Sequence, residues 1–104
     1  MSRKAGSRGK GPSPLRLDGE LTIYAVSALH QRLLAVLNEA RPVDLDLSEV
    51  AEIDSAGIQQ LLLFKRDVEA LGHPVRVVAH SDAVAEVFGL LNLTQTFAPP
   101  ASAA

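Results

Sequence analysis

Hydrophobic and polar positions follow two different periods along residues 15–97, and the order of these periods predicts the fold. Apolar residues spaced by twos lie on both sides of Asp18-Gly19, a dipeptide typical of tight turns, which predicts a β-hairpin from Leu15 to Ile23. Steps of three and four follow and predict a helix over about 25–40. This helix is expected to end at Arg41-Pro42, because the residue before a proline disfavours the helical conformation.

The next stretch repeats this change of period. Alternation from Val43 predicts a strand that ends at the acidic residue Asp54, and a helix is predicted over 56–72. Gly72 and the proline that follows shortly after it are typical helix stop signals. The core face of this helix is predicted from four apolar residues at helical spacing, Leu61, Phe64, Val68 and Leu71.

Three shorter elements complete the pattern. They are a strand over 75–79, a helix capped by Ser81 or Asp82, and a final short strand over 93–97. The alternation of strands and helices predicts a single α/β domain, with a mixed sheet of four to five strands packed with about three to four helices.

The composition limits the protein to one small domain without cysteine chemistry. The chain has 104 residues, 47% of them hydrophobic, and no cysteine, which excludes a disulfide framework, a thiolate zinc site and a thiol nucleophile. Apolar runs such as Leu61 to Phe64 are far shorter than the roughly 18 residues that a membrane span needs. Residues 1–16 lack the apolar region of a signal peptide, so we expect a cytoplasmic protein without a membrane span.

Charge divides the chain into a basic start and an acidic body. Residues 1–16 hold five of the ten basic residues and no acid, which leaves five bases against 12 acids, a net charge of −7, for positions 17–104. An acidic body argues against nucleic-acid binding. Residues 1–14 are predicted to be a disordered basic arm, with binding to anionic lipid, nucleic acid or the acidic body as the alternative. The domain is expected over 15–97, followed by a flexible Pro/Ala tail over 98–104.

A candidate site lies at Asp54-Ser55-Ala56-Gly57, where a strand ends and a helix begins. Functional groups of α/β sheets often lie at such junctions. The simplest interpretation is structural, because Asp and Ser are among the commonest helix N-caps. Helical geometry adds a second one, since Ser55, Gln59, Leu62 and Arg66 share the face opposite the core, with Leu63 beside them. Adjoining exposed leucines are typical of a docking surface. A phosphate on the serine would be tolerated by the helix dipole and would act on a partner through clash and charge.

No arrangement of residues predicts catalysis or metal binding. The three histidines are His30, His73 and His80. The last two lie near opposite ends of a predicted strand, and none is placed as a base for Ser55. We therefore expect no catalytic residue, no cofactor and no metal. Glu49 and Glu52 precede the site and give the hypothesis of a negative rim that attracts a basic partner.

Four segments of the sequence resemble the STAS domain family, named for sulfate transporters and anti-sigma factor antagonists. The segments, within a likeness that spans about 15–97, are Leu17-Asp18-Gly19-Glu20-Leu21, Leu45-Asp46-Leu47-Ser48-Glu49-Val50, Ile53-Asp54-Ser55-Ala56-Gly57-Ile58 and Leu90-Leu91-Asn92-Leu93. The resemblance implies a mixed sheet packed by helices that serves as a protein-binding module rather than an enzyme. In the anti-sigma antagonists it resembles, the serine that matches Ser55 is phosphorylated by an anti-sigma type kinase partner, which releases the complex. Thr22 and Gln59 depart from the sporulation-type pattern, which has Asp and a small residue there.

The resemblance leads us to expect a bacterial signal-transduction regulator that is switched by phosphorylation of Ser55. Its partner would be an anti-sigma or serine-kinase-like protein, and the chain itself a monomer or weak dimer. The expected partner-binding residues are Asp54, Ser55, Gly57, Gln59, Leu62, Leu63 and Arg66. The alternative is a small cytoplasmic subunit of a phospholipid-transport ABC complex that binds the transporter ATPase, or a chemotaxis-associated or signalling-associated protein, with Ser55 unphosphorylated.

Overall fold

The computed structural model describes residues 14–97, in which three strands and three helices alternate along the chain. They are β1 (Leu15–Leu21), α1 (Val26–Leu37), β2 (Val43–Ile53), α2 (Ser55–Ala70), β3 (Val75–His80) and α3 (Asp82–Leu90). The predicted disordered arm, apart from Pro14, and the predicted Pro/Ala tail lie outside the described residues. The helices between residues 14 and 97 lack the length and hydrophobicity that a membrane span requires.

The three strands form one parallel sheet in the order β1-β2-β3. Right-handed crossovers that run in one direction place α1 and α2 on the same face of the sheet, where the two helices pack against each other. As the chain leaves β3, Ser81 N donates to Leu47 O over 3.1 Å, so α3 begins beside β2 and packs against it. The predicted single α/β domain is therefore confirmed. The predicted mixed sheet of four to five strands is wrong for residues 14–97, because their three strands are all parallel.

The predicted hairpin from Leu15 to Ile23 is wrong, because Asp18-Gly19 lies inside a single strand. β1 runs through this dipeptide and pairs in parallel with β2, with register shifts on both sides of it. Gly19 has a φ of +75°, which is typical of the glycine in a β-bulge. Turns and bulges favour the same residue types, and only the pairing of the strand with β2 distinguishes them.

The far end of the described chain also differs from the prediction. Residues 94–97 form turns rather than a strand, and only Phe97 reaches the sheet, where its carbonyl oxygen accepts from Val77 N over 3.0 Å. Phe97 is buried and stacks on Phe88 of α3, with ring centroids 5.3 Å apart. The segment is therefore held by the burial of Phe97 and by turn hydrogen bonds instead of a strand ladder.

β2 is the central strand, and its alternating residues serve two faces of the sheet. Leu45 is fully buried beneath the helices. Asp44 and Asp46 point to the other face, where Asp44 forms a 2.7 Å ion pair with Arg76 and Asp46 a 3.5 Å ion pair with Arg16. Each pair joins residues that are opposite each other on neighbouring strands, so charge complementarity supports the register that hydrophobic burial selects.

The predicted core face of α2 is confirmed for three of its four residues. Leu61, Phe64 and Val68 are buried, whereas Leu71 is 52% exposed. The helix ends at Ala70, so the helical spacing that would have placed Leu71 over the core no longer applies.

The start of α2 lies unusually close to the end of β1. A Cβ built on Gly57 would lie only 1.9 Å from Leu21 O. Because this oxygen belongs to the backbone, the clash cannot be relieved by rotating a side chain. Glycine is therefore required where the helix crosses the strand, and this close approach fixes the position of the helix N-terminus.

We expect Gly57→Ala to destabilise the protein by roughly 2–3 kcal/mol, because backbone must move to admit the methyl group. Urea unfolding of the full chain measures this. Gly89→Ala in α3 is the matched control, since a Cβ there meets nothing within 4 Å, and it should be neutral or stabilise by up to about 1 kcal/mol. Equal stability of the two variants would contradict the close approach.

Candidate functional site

The N-terminus of α2 is capped by the carboxylate of Asp54. Its Oδ1 accepts from Ala56 N at 2.9 Å and from Gly57 N at 3.1 Å, while the residue itself has the extended backbone typical of an N-cap. Two N–H groups that would otherwise lack a partner in the first turn are thereby satisfied.

The same carboxylate joins the helix to the turn between β1 and α1. Asp54 Oδ2 accepts from Ile23 N at 3.0 Å, and Asp54 N donates to Leu21 O at 3.2 Å. Hydrogen bonds to the ionised form lower the pKa of Asp54 below its ordinary value. The largest effect comes from Ile23 N, and smaller effects come from Gly57 N and Ala56 N. One side chain thus holds the end of a strand, a turn and a helix terminus together.

Ser55 is the first residue of α2 and is exposed. Its side chain makes no hydrogen bond to any residue between 14 and 97, because Asp54 performs the capping that either residue could have supplied. The serine hydroxyl is therefore accessible at a helix N-terminus that does not depend on it.

The other predicted site residues lie at different depths. Gln59, Leu63 and Arg66 are exposed on α2, and Arg66 pairs with the neighbouring Asp67 over 3.1 Å. Leu62 is half-buried and packs against the core, so Leu63 alone of the two leucines is an exposed apolar side chain on this helix. Gly57 is buried, and together with Asp54 it supports the surface from beneath.

Sequence reasoning missed two exposed residues beside the site, Ile23 and Tyr24. Their side chains are 59% and 92% exposed, and the turn that carries them is tied to Asp54 through Ile23 N. The sequence signal was present, since two large apolar residues stand together just before the helical spacing begins. It was obscured by the predicted hairpin, which assigned Ile23 to a strand.

A shallow groove between α1 and α2 adjoins Leu63. It has a volume of about 120 Å³, and its walls are mainly apolar, from Leu34 and Leu37 on α1 and from Leu63 and Phe64 on α2. His30 Nδ1 and Gln60 Oε1, which also line it, lie 3.2 Å apart in a hydrogen bond across the two helices. Among residues 14–97, no group of three or more His, Cys, Asp or Glu side chains could hold a metal ion.

Comparison with known proteins identifies relatives of this fold. The family model described as "Mlab, STAS domain" matches residues 7–99. No curated protein matches the chain. A candidate anti-sigma factor antagonist from Thermotoga maritima is similar in structure with a TM-score of 0.68 and 23% identity, over 78% of this chain and 71% of that one. The anti-sigma factor antagonist SpoIIAA in its unphosphorylated form gives a TM-score of 0.55 and 22% identity, over 72% of this chain and 70% of that one.

We expect Asp54→Asn to destabilise the protein in a pH-dependent way, because an amide has one acceptor oxygen for three N–H donors. The folded-state pKa of Asp54 lies below its unfolded value of about 3.8. The stabilisation is therefore present above that value and is lost as the pH falls through the folded pKa. Unfolding free energies measured from about pH 7 to pH 3 should show a difference between wild type and variant that shrinks at the acid end.

The exposed carboxylate Asp82 provides the control for this prediction. Asp82→Asn tests whether loss of any surface charge produces the same profile. A constant difference between wild type and Asp54→Asn over the whole pH range would show that the ionised carboxylate does not hold the site together.

Proposed function

The chain belongs to the STAS domain family, and from that premise we propose that it is a non-enzymatic regulator that binds a protein partner and is switched by phosphorylation of Ser55. The partner is of the anti-sigma type with serine kinase activity. Docking occurs on the Ser55 surface, which we define as Ile23, Tyr24, Ser55, Gln59 and Leu63.

The observation that carries this proposal is that Asp54, and not Ser55, caps the N-terminus of α2. Asp54 makes the helix cap, so the serine hydroxyl is exposed and has no structural task among the described residues. A hydroxyl of this kind can accept a phosphate without loss of any hydrogen bond that holds the fold. The helix N-terminus favours the added negative charge.

The position of the serine explains how a phosphate would act on binding. Exposed apolar side chains follow it on α2, at Leu63, and precede it in the turn, at Ile23 and Tyr24. A phosphate carries a charge of about −1.5 to −2 at pH 7. Within an apolar contact it would have to be desolvated, and beside the ionised Asp54 it would add to an existing negative charge, so the complex would be released.

The structural comparisons support the same proposal. The Thermotoga maritima protein is described as a candidate anti-sigma factor antagonist. SpoIIAA is described as an anti-sigma factor antagonist, and its structure is that of the unphosphorylated form. A fold used for that function in other proteins gives this chain a suitable scaffold, and the accessible serine supplies the switch.

The alternative function uses the same surface without the switch. In a phospholipid-transport ABC complex, the surface would be a permanent interface with the ATPase, and Ser55 would be a helix cap or have no role. Since Asp54 is the cap, this alternative leaves the exposed serine unexplained, and we favour the switch.

The direct test is to purify the protein from its native cells, map phosphorylation sites by mass spectrometry and measure partner affinity for Ser55→Ala and Ser55→Asp. We expect a phosphate on Ser55. We also expect affinity within about twofold of wild type for the Ala variant and at least about tenfold weaker for the Asp variant, which introduces a charge at a desolvated contact.

Thr94→Asp is the control for added charge, because Thr94 is exposed and lies outside the Ser55 surface. It should leave the affinity unchanged. An unphosphorylated serine, together with a transporter ATPase that binds the Ala and Asp variants equally well, would contradict the switch and establish the permanent interface.

We expect Tyr24→Ala to weaken partner binding by about fivefold or more, because aromatic side chains at interface centres commonly contribute over 1 kcal/mol. Stability should hardly change, since the side chain is 92% exposed. Isothermal titration and thermal unfolding measure the two effects. Leu91→Ala, at an exposed leucine beyond α3, should alter neither, and equal losses in both variants would show that the turn is not part of the surface.

A further inference from the structure

β1 is an edge strand of the described sheet, and a groove runs between it and α1. Among residues 14–97, β1 pairs only with β2. The groove has a volume of about 180 Å³, and its lining includes Leu17, Leu21 and Leu29 together with the acidic residues Asp18 and Glu20. An edge of this kind is open to a further segment of chain.

Negative charge continues from this edge onto the neighbouring strand. In the parallel register, Asp18 is opposite Glu49, and Glu20 is opposite Glu52. All four side chains belong to exposed residues. Like charges directly opposite each other in a sheet are destabilising. We call these four residues the acidic edge.

The described cations do not neutralise the acidic edge. The five ion pairs within residues 14–97 are Arg16–Asp46, Arg41–Glu39, Lys65–Glu69, Arg66–Asp67 and Arg76–Asp44. The remaining described cation, Arg32, lines the groove and donates to Arg16 O over 2.7 Å. Arg32 lines the groove together with Asp18 and Glu20, but it forms no ion pair with any acidic residue among residues 14–97.

We propose that residues 1–13 of the same chain dock on the acidic edge and neutralise it. This segment carries Arg3, Lys4, Arg8 and Lys10 and no acidic residue. Its charge is therefore complementary to that of the four carboxylates, whereas a net charge of −7 over positions 17–104 makes the rest of the chain unsuited to the role.

The covalent attachment of the segment places it within reach. It joins the described chain at Pro14, directly before β1, and Glu20 lies six residues further on, about 20 Å along the strand. Thirteen residues can span about 43 Å when extended. Gly11-Pro12 is a turn-forming dipeptide, so the segment can reverse direction there and follow β1 toward the acidic edge.

The contact is expected to be electrostatic and sensitive to salt. The four carboxylates are on the surface, where single ion pairs contribute little but several together attract an oppositely charged chain. Because the interaction is intramolecular, a high effective concentration offsets its weakness.

Paramagnetic relaxation in the full-length chain tests this proposal. The protein has no cysteine, so Ser7→Cys gives a unique attachment point for a nitroxide label. At about 10 mM salt, where the screening length is about 30 Å, we expect the label to broaden the amide signals of residues 18–21 and 49–52. At about 1 M salt, where that length is about 3 Å, the broadening should fall by at least half, while signals close to Pro14 stay broadened by the tether.

Two charge variants make the test specific. Glu20→Gln combined with Glu49→Gln removes one charge from each like-charge pair and keeps an acceptor oxygen for the 2.6 Å hydrogen bond from Thr22 Oγ1 to Glu20. This double variant should lose the broadening at low salt. Asp82→Asn combined with Glu86→Gln removes the same charge from exposed positions on α3 and should retain it.

Three results would overturn the proposal. They are broadening that is unchanged at high salt, broadening that survives Glu20→Gln with Glu49→Gln, and broadening that appears when labelled chains are mixed with separate isotope-enriched chains. The last result would assign the contact to a second copy instead of the same chain.

Discussion

The site depends on the hydrogen bonds that Asp54 makes to three backbone N–H groups. They connect the turn after β1 to the first turn of α2 and fix two segments that are distant in sequence. The connection is possible only because Gly57 lets the helix approach the backbone of Leu21 so closely. The carboxylate of Asp54 and the glycine at position 57 therefore bring Ser55 and the turn that carries Ile23 and Tyr24 together without a hydrogen bond to any of these three side chains.

The periodicity of the sequence is sufficient to predict the helices and strands that bury one regular face. α1, β2, α2, β3 and α3 were predicted to within a few residues, because each presents apolar residues to one core at the spacing of its own geometry. β1 was misread because Asp18-Gly19 fits a turn as well as a bulge, and the choice is made by its parallel pairing with β2, which is non-local. For the same reason the all-parallel order of the described strands could not be predicted from local pattern.

The location of the candidate site could be predicted, but the roles of its residues could not. A strand end followed by Asp54-Ser55-Ala56-Gly57 predicted a junction with a cap, and either of the first two residues could have formed it. Only the geometry assigns the cap to Asp54 and leaves Ser55 accessible. The exposure of Tyr24 was also beyond the sequence, since it follows from the end of β1 at Leu21 and from the path of the turn.

We propose that a phosphate on Ser55 changes a preformed surface and leaves the fold intact. The most direct measurement is a comparison of backbone amide chemical shifts in the full chain with serine and with phosphoserine at position 55. We expect changes confined to the turn at 22–24 and the first two turns of α2, with the hydrogen-bonded amides of Ile23 and Gly57 still protected from exchange. Shift changes throughout the sheet, or loss of that protection, would contradict this proposal by showing that the serine is part of the structure that holds the helix.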